Sequence, residues 1–210
     1  MSSPLPNPHL VVRGYGSVTV EPDLAHVSVE LRAANVDPAA AKQHVDDRSK
    51  AVVLLATRCG IDRRDVTAAH IAIRPKYNWK SDKKKYVGTL VSRDISLVLR
   101  DLEKFETLIQ GLAEIPIFAL EKVKMDTSKR LEYEQAAMDA AAADAQKKAS
   151  QLAQGLGVGL KSVYRIAPPD YGDGFGSFDA MMATGGGTFE IGTIDIQAKI
   201  EITYWLESAS

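Results

Sequence analysis

The sequence predicts an α+β fold with antiparallel hairpins. Three observations predict it: several segments alternate apolar and polar residues with period two, three others repeat apolar residues at helical spacing, and strands come in pairs between helices. The predicted order is β-β-α-β-β-α-β-α-β-β, two tandem β-β-α units followed by β-α-β-β. Residues 1–8, with Pro4, Pro6 and Pro8, read as an extended lead. Residues 9–207 read as one domain, with room for a subdomain around the helix 129–156.

Leu10, Val12, Val18 and Val20 alternate with Arg13, Tyr15, Ser17 and Thr19, which is a strand with one buried face. Glu21-Pro22-Asp23 supplies turn chemistry before Ala25, Val27, Val29, Leu31 and Ala33 alternate again, so these two strands are expected to form a hairpin. Asp37-Pro38 is an N-cap with proline in the first helical turn. The helix behind it is expected to bury Ala41, Val45, Val52, Leu55 and Cys59, expose Lys42, Asp46, Asp47 and Lys50, and stop at Gly60.

The same order then repeats. Ile71 and Ile73 are expected to point inward from a strand over Val66 to Tyr77. A lysine-rich turn, Lys80 to Lys85, leads into a strand with Thr89, Val91, Ile95, Leu97 and Leu99. Phe105, Leu108, Ile109 and Leu112 place a helix over Leu102 to Ala113, and a strand follows near Ile115 to Asp126. The longest helix, Lys129 to Leu156, is capped by Thr127 or Ser128. It carries the stripe Ala137, Ala141, Ala145 and Ala149, with Asp139, Asp144, Lys147 and Lys148 left to water. A short strand, Ser162 to Ala167, precedes a glycine-rich loop over Asp170 to Thr188, and strict alternation from Ile194 to Leu206 closes the chain.

Composition excludes whole classes of function. The chain has 210 residues, 45% hydrophobic and 25% charged, with a net charge of -1, which excludes a disordered chain and a strongly basic nucleic-acid binder. Cys59 stands alone, so no intrachain disulfide forms. No apolar run approaches the roughly 20 residues of a membrane-spanning helix. The N-terminus has neither the positive nor the apolar region of a secretory signal.

The motifs each admit a bland reading. Gly14-Tyr15-Gly16 and Gly172 to Gly176 are not nucleotide-binding patterns, and read as a bend or bulge in a strand and as loop. His9, His26, His44 and His70 lack the close ligand spacing of a zinc site, although His26 and Glu30 share a strand face. Cys59 lies on an apolar helix face, where a thiol is buried rather than reactive. Asp62-Arg-Arg-Asp65, Asp46-Asp47 and Glu132 with Glu134 read as solvated charge. The lysine turn, flanked by Tyr77, Trp79 and Tyr86, reads either as contact with an anionic surface or as a solubilised hairpin tip, and the neutral overall charge favours the tip. Phe175, Phe178, Met181 and Met182 in the long loop are costly to leave in water. They are candidate contacts to a second subunit, or fold back on their own sheet.

Taken in order, Gly14-Tyr-Gly16, Pro22-Asp23-Leu-Ala25, Gly60-Ile-Asp, Pro75-Lys-Tyr77, Tyr86-Val-Gly88, Ala140 through Asp144-Ala145, Lys148-Ala149 to Leu152-Ala153 and Gly155-Leu-Gly157 form a pattern. It resembles the SIMPL domain family, also called DUF541, over about His9 to Leu206. The chain departs from it at Gly88-Thr89, where the family has glycine-tyrosine, and in lacking the usual signal peptide. The resemblance implies an α+β domain. Bacterial members are mostly periplasmic or envelope-associated, linked to oxidative-stress defence or known as immunogenic antigens, and some form ring-like oligomers. A mammalian member is a signalling adaptor for a receptor-linked kinase. No catalytic residues are carried over.

The expected function is therefore non-enzymatic self-association with protein contacts in envelope or stress protection, without cofactor or nucleic acid. The location is periplasmic by resemblance, with the cytoplasm as alternative. The competing expectation is a small-ligand or metal-binding protein with a pocket near the 170–188 loop.

Overall fold

The computed structural model describes residues 8–80, 83–174 and 192–207. Its elements are β1 (His9–Val20), β2 (Leu24–Asn35), α1 (Pro38–Arg58), β3 (Val66–Lys80), β4 (Lys83–Leu99), α2 (Phe105–Glu114), β5 (Ala119–Asp126), α3 (Arg130–Gly155), β6 (Leu160–Ile166), β7 (Asp170–Gly174) and β8 (Ile194–Leu206). All strand pairs are antiparallel and lie in two sheets beside helices, which is the α+β class. The chain divides into two compact units, one holding β1, α3, β6, β7 and β8, the other β2 to β5 with α1 and α2.

β1 and β2 do not form the expected hairpin. β1 pairs with β8 from His9↔Trp205 to Val20↔Ile194, whereas β2 pairs with β4 and β5. Alternation fixes which face of a strand is buried but names no partner, and Glu21-Pro22-Asp23 is a crossing between sheets. Asp23 donates its backbone N–H to the Asp126 carbonyl at 3.0 Å, committing the chain to the second sheet.

In the β1/β8 unit the inner face of β8, Ile194 to Tyr204 at every second residue, is buried. The stripe Ala137, Ala141, Ala145, Ala149 and Ala153 of α3 is buried too. The β1 register is unbroken through Gly14 and Gly16, so these glycines make no bulge. They are needed for close approach: a Cβ at Gly14 would stand 1.9 Å from the Ala141 carbonyl oxygen, and one at Gly16 2.0 Å from that of Ala137. Glycine on the strand and alanine on the helix let the two backbones meet. The predicted long loop begins with a strand, since β7 pairs with β8 from Asp170↔Lys199 to Gly174↔Asp195. Thr127 accepts the Lys129 N–H at 3.3 Å, so it orders the turn before α3 without occupying the N-cap itself.

The β2/β4 unit is filled with larger side chains. The sheet, ordered β3-β4-β2-β5, buries Val27, Val29, Leu31, Val91, Ile95, Leu97 and Leu99; Val45 and Val52 of α1 and Phe105, Leu108 and Leu112 of α2 are buried with them. Asp37 caps α1 as expected, accepting from Ala39 N at 3.0 Å. Ser49 takes a buried place on α1, donating to the Val45 carbonyl at 2.8 Å, while Leu55 is only half-buried. α1 lies over β2 and β4 and barely meets β3. The prediction that Ile71 and Ile73 point into the core is overturned: both are exposed, at 37% and 56%. They stand opposite Arg93 and Val91 in the register, on the helix-facing side, but on the strand where the helix layer has ended.

β3 and β4 also outrun the sheet. β2 ends at Asn35↔Thr89, whereas β3 and β4 stay paired to Lys80↔Lys83. Gly88 has φ +137 and a Cβ there would stand 2.5 Å from the Asn35 carbonyl oxygen, which makes glycine the residue for this departure point. The register jumps there from Lys76↔Gly88 to Tyr77↔Tyr86, leaving Val87 as a bulge.

Candidate functional site

The predicted contact residues Phe175, Phe178, Met181 and Met182 lie outside the described residues. The other sequence candidates are dispersed. His26 Nε2 stands 3.6 Å from Asp126, while Glu30 accepts from Arg32, so His26 and Glu30 are not brought together. Among the described residues, no three His, Cys, Asp or Glu side chains converge as metal ligands. Cys59 is buried, and burial pushes its thiol pKa up, which keeps it protonated and unreactive.

Two groups expected in water are engaged. Asp65 is buried and takes a bidentate pair from half-exposed Arg100 at 2.7 and 2.9 Å; the Arg100 guanidinium holds its carboxyl below the usual carboxylate range. Asp46 reaches Lys42 and, at 3.0 Å, Arg93 of β4, which ties α1 to the sheet.

The outer sheet faces carry shallow grooves. One of about 300 Å³ is lined by Glu30, Arg32, Arg74, Ser92 and Asp94, where Arg32 stacks 3.8 Å over the Phe118 ring and neutralises buried Glu30. Another of about 420 Å³ lies over β1, β7 and β8 between Tyr15, Ser17, Asp170, Gln197 and Lys199.

The sheet edges are more informative. At β1, α3 supplies side chains to the strand backbone: Asp144 Oδ2 accepts the Tyr15 N–H at 2.9 Å and Lys148 Nζ donates to the Arg13 carbonyl at 3.2 Å. The two side chains also pair with each other at 2.6 Å, and Lys148 lies 5.0 Å from the Tyr15 ring centroid. Lys148 first, then the Tyr15 N–H, holds the Asp144 carboxyl below its ordinary range. Asp144 and Lys148 are therefore not simply solvated. Their i,i+4 spacing was the only sequence signal of this role.

Among the described residues, no helix side chain is seen bonded to the backbone of the regular segment around Ile71 and Ile73 of β3. Within the described residues β3 pairs with β4 alone, and it is limited instead by Pro75 and by register breaks between Thr67 and His70 and after Lys76. Between those breaks lies a regular segment with Ile71 and Ile73 exposed.

A family model described as SIMPL, a protein of unknown function (DUF541), matches residues 10–204. The chain belongs to the SIMPL family. Among curated SIMPL relatives, an uncharacterized protein YggE from Edwardsiella ictaluri is 32% identical over 160 residues, covering 76% of this chain and 67% of its own. The Escherichia coli protein of the same description is 25% identical over 206 residues, covering 95% of this chain and 84% of its own. The quoted SIMPL pattern now has physical content: Gly14 and Gly16 meet the α3 alanines, and Asp144 and Lys148 close the strand that carries those glycines. No helix among the described residues is long and apolar enough to cross a membrane.

Proposed function

We propose that this SIMPL protein is a non-enzymatic component that works by self-association, with β3 as the contact between copies. The observation that carries the reading is Ile71 and Ile73, side by side on an edge strand beyond the reach of α1. Fully burying such a side chain is worth about 1.5–3 kcal/mol, so covering the exposed part of two on each copy favours association. The non-enzymatic reading is supported by the protonated, buried Cys59 and by carboxylates engaged with arginine or backbone. By family resemblance the assembly serves envelope or oxidative-stress protection from the periplasm.

Sedimentation velocity across a micromolar concentration series tests the association. Oligomers that shrink in an Ile71→Lys/Ile73→Lys variant with unchanged circular dichroism are expected. A strict monomer for the unaltered chain overturns the reading.

A further inference from the structure

We propose that the two-stranded arm made by residues 76–80 of β3 and 83–87 of β4 docks on an anionic lipid surface, a function separate from self-association through Ile71 and Ile73. Beyond Asn35↔Thr89 the arm has no third strand among the described residues, and isolated two-stranded ribbons are marginal in water. Its two faces differ: Tyr77 and Tyr86 are exposed at 40% and 47% on one, Lys76 and Lys85 are exposed on the other, and Val87 at the bulge is exposed at 38%.

Charge identifies the occupant. The two arm segments carry five lysines, against one acidic residue, Asp82, between them in sequence, in a chain whose net charge is -1, so positive charge is concentrated in the arm while the rest of the protein is net acidic. A ribbon with tyrosines on one face and lysines on the other suits the headgroup layer, where amphipathic rings and ammonium groups are both solvated. Single-stranded nucleic acid fits less well. It needs open ring faces for stacking, but Tyr77 and Tyr86 pack edge to face at 5.9 Å and 72°, which covers a ring face, and the Tyr86 hydroxyl is held 3.0 Å from Thr89 Oγ1.

The test is co-sedimentation of the full chain with vesicles of phosphatidylcholine alone or of equal parts phosphatidylcholine and phosphatidylglycerol, at low and high salt. Binding to the anionic vesicles alone, weakened by salt, is expected. A Lys76→Glu/Lys85→Glu variant should lose at least about tenfold of it. Tyr77→Ser/Tyr86→Ser should bind more weakly with the salt dependence kept, and Lys76→Gln/Lys85→Gln serves as the milder variant should charge reversal disturb folding. Equal binding to neutral vesicles, no binding to anionic ones, indifference to the lysine variants, or tighter binding to a single-stranded oligonucleotide overturns the proposal. Sedimentation velocity on the same samples separates it from self-association, because a monomer that still binds vesicles removes only the latter.

Discussion

The edge strands β1 and β3 belong to units built on opposite packing principles, and the difference decides which strand its helix reaches. In the β1/β8 unit, Gly14 and Gly16 let α3 come into backbone contact, so the short Asp144 side chain and Lys148 reach the strand backbone. In the β2/β4 unit, leucine, isoleucine, valine and phenylalanine fill the space under α1 and α2, and the helix layer ends before β3. Close packing of small residues thus closes an edge as a by-product. A core of large residues leaves its last strand with apolar side chains in water.

The strongest way to break this comparison is to spoil the close approach. Gly14→Val places its side chain into the Ala141 carbonyl and should cost about 3 kcal/mol or more, a fall of roughly 6–12 °C in melting temperature. A melting curve within a degree or two of the unaltered chain would show that α3 has room to spare. Next comes the uncovered strand: Ile73→Lys alone should weaken association by about tenfold while leaving thermal stability within about 0.5 kcal/mol, because the side chain is already 56% exposed. A substantial loss of stability would mean that Ile73 serves the core after all.

A smaller effect sharpens the other side. Asp144→Ala removes the acceptor of the Tyr15 N–H and should lower the urea midpoint slightly, because water can replace an exposed acceptor. It should also shift sedimentation toward larger species as the β1 edge opens. If the sedimentation profile does not change, edge closure is not what Asp144 is for.

The smallest effect is the Asp65 to Arg100 pair, whose half-exposed arginine limits it to about 1 kcal/mol or less. The Asp65 carboxyl titrates lower in the folded chain than unfolded, so its contribution is complete above the unfolded carboxylate range and vanishes as pH falls through the folded value. Urea midpoints of Asp65→Asn and the unaltered chain should therefore differ at neutral pH and converge in strong acid. A constant gap across that range would assign the effect to packing.

Much of the fold was legible in the residues. The Ala137 to Ala149 stripe, the Asp37 cap, the inner faces of β2, β4 and β8 and the end of α1 at Gly60 all stand where periodicity and capping chemistry place them. The features misplaced through partnership are the β1 to β2 hairpin, β7 within the predicted loop, the burial of Ile71 and Ile73, and solvation of Asp65. Each depends on residues distant in sequence, and nothing in the local pattern carries that information.

By itself the sequence determined most of the elements, their apolar faces and the family, because alternation, helical spacing and caps are local and act within one or two turns of chain. Only the tertiary structure decided that Glu21-Pro22-Asp23 crosses between sheets, that the Gly14 and Gly16 pair is a contact surface rather than a bend, and that β3 ends up outside the helix layer. Strand partners and helix coverage are set by competition among all available surfaces. Two strands with one apolar face each can therefore finish differently: among the described residues, helix side chains bond the backbone of β1 at Arg13 and Tyr15 and leave Ile71 and Ile73 of β3 exposed.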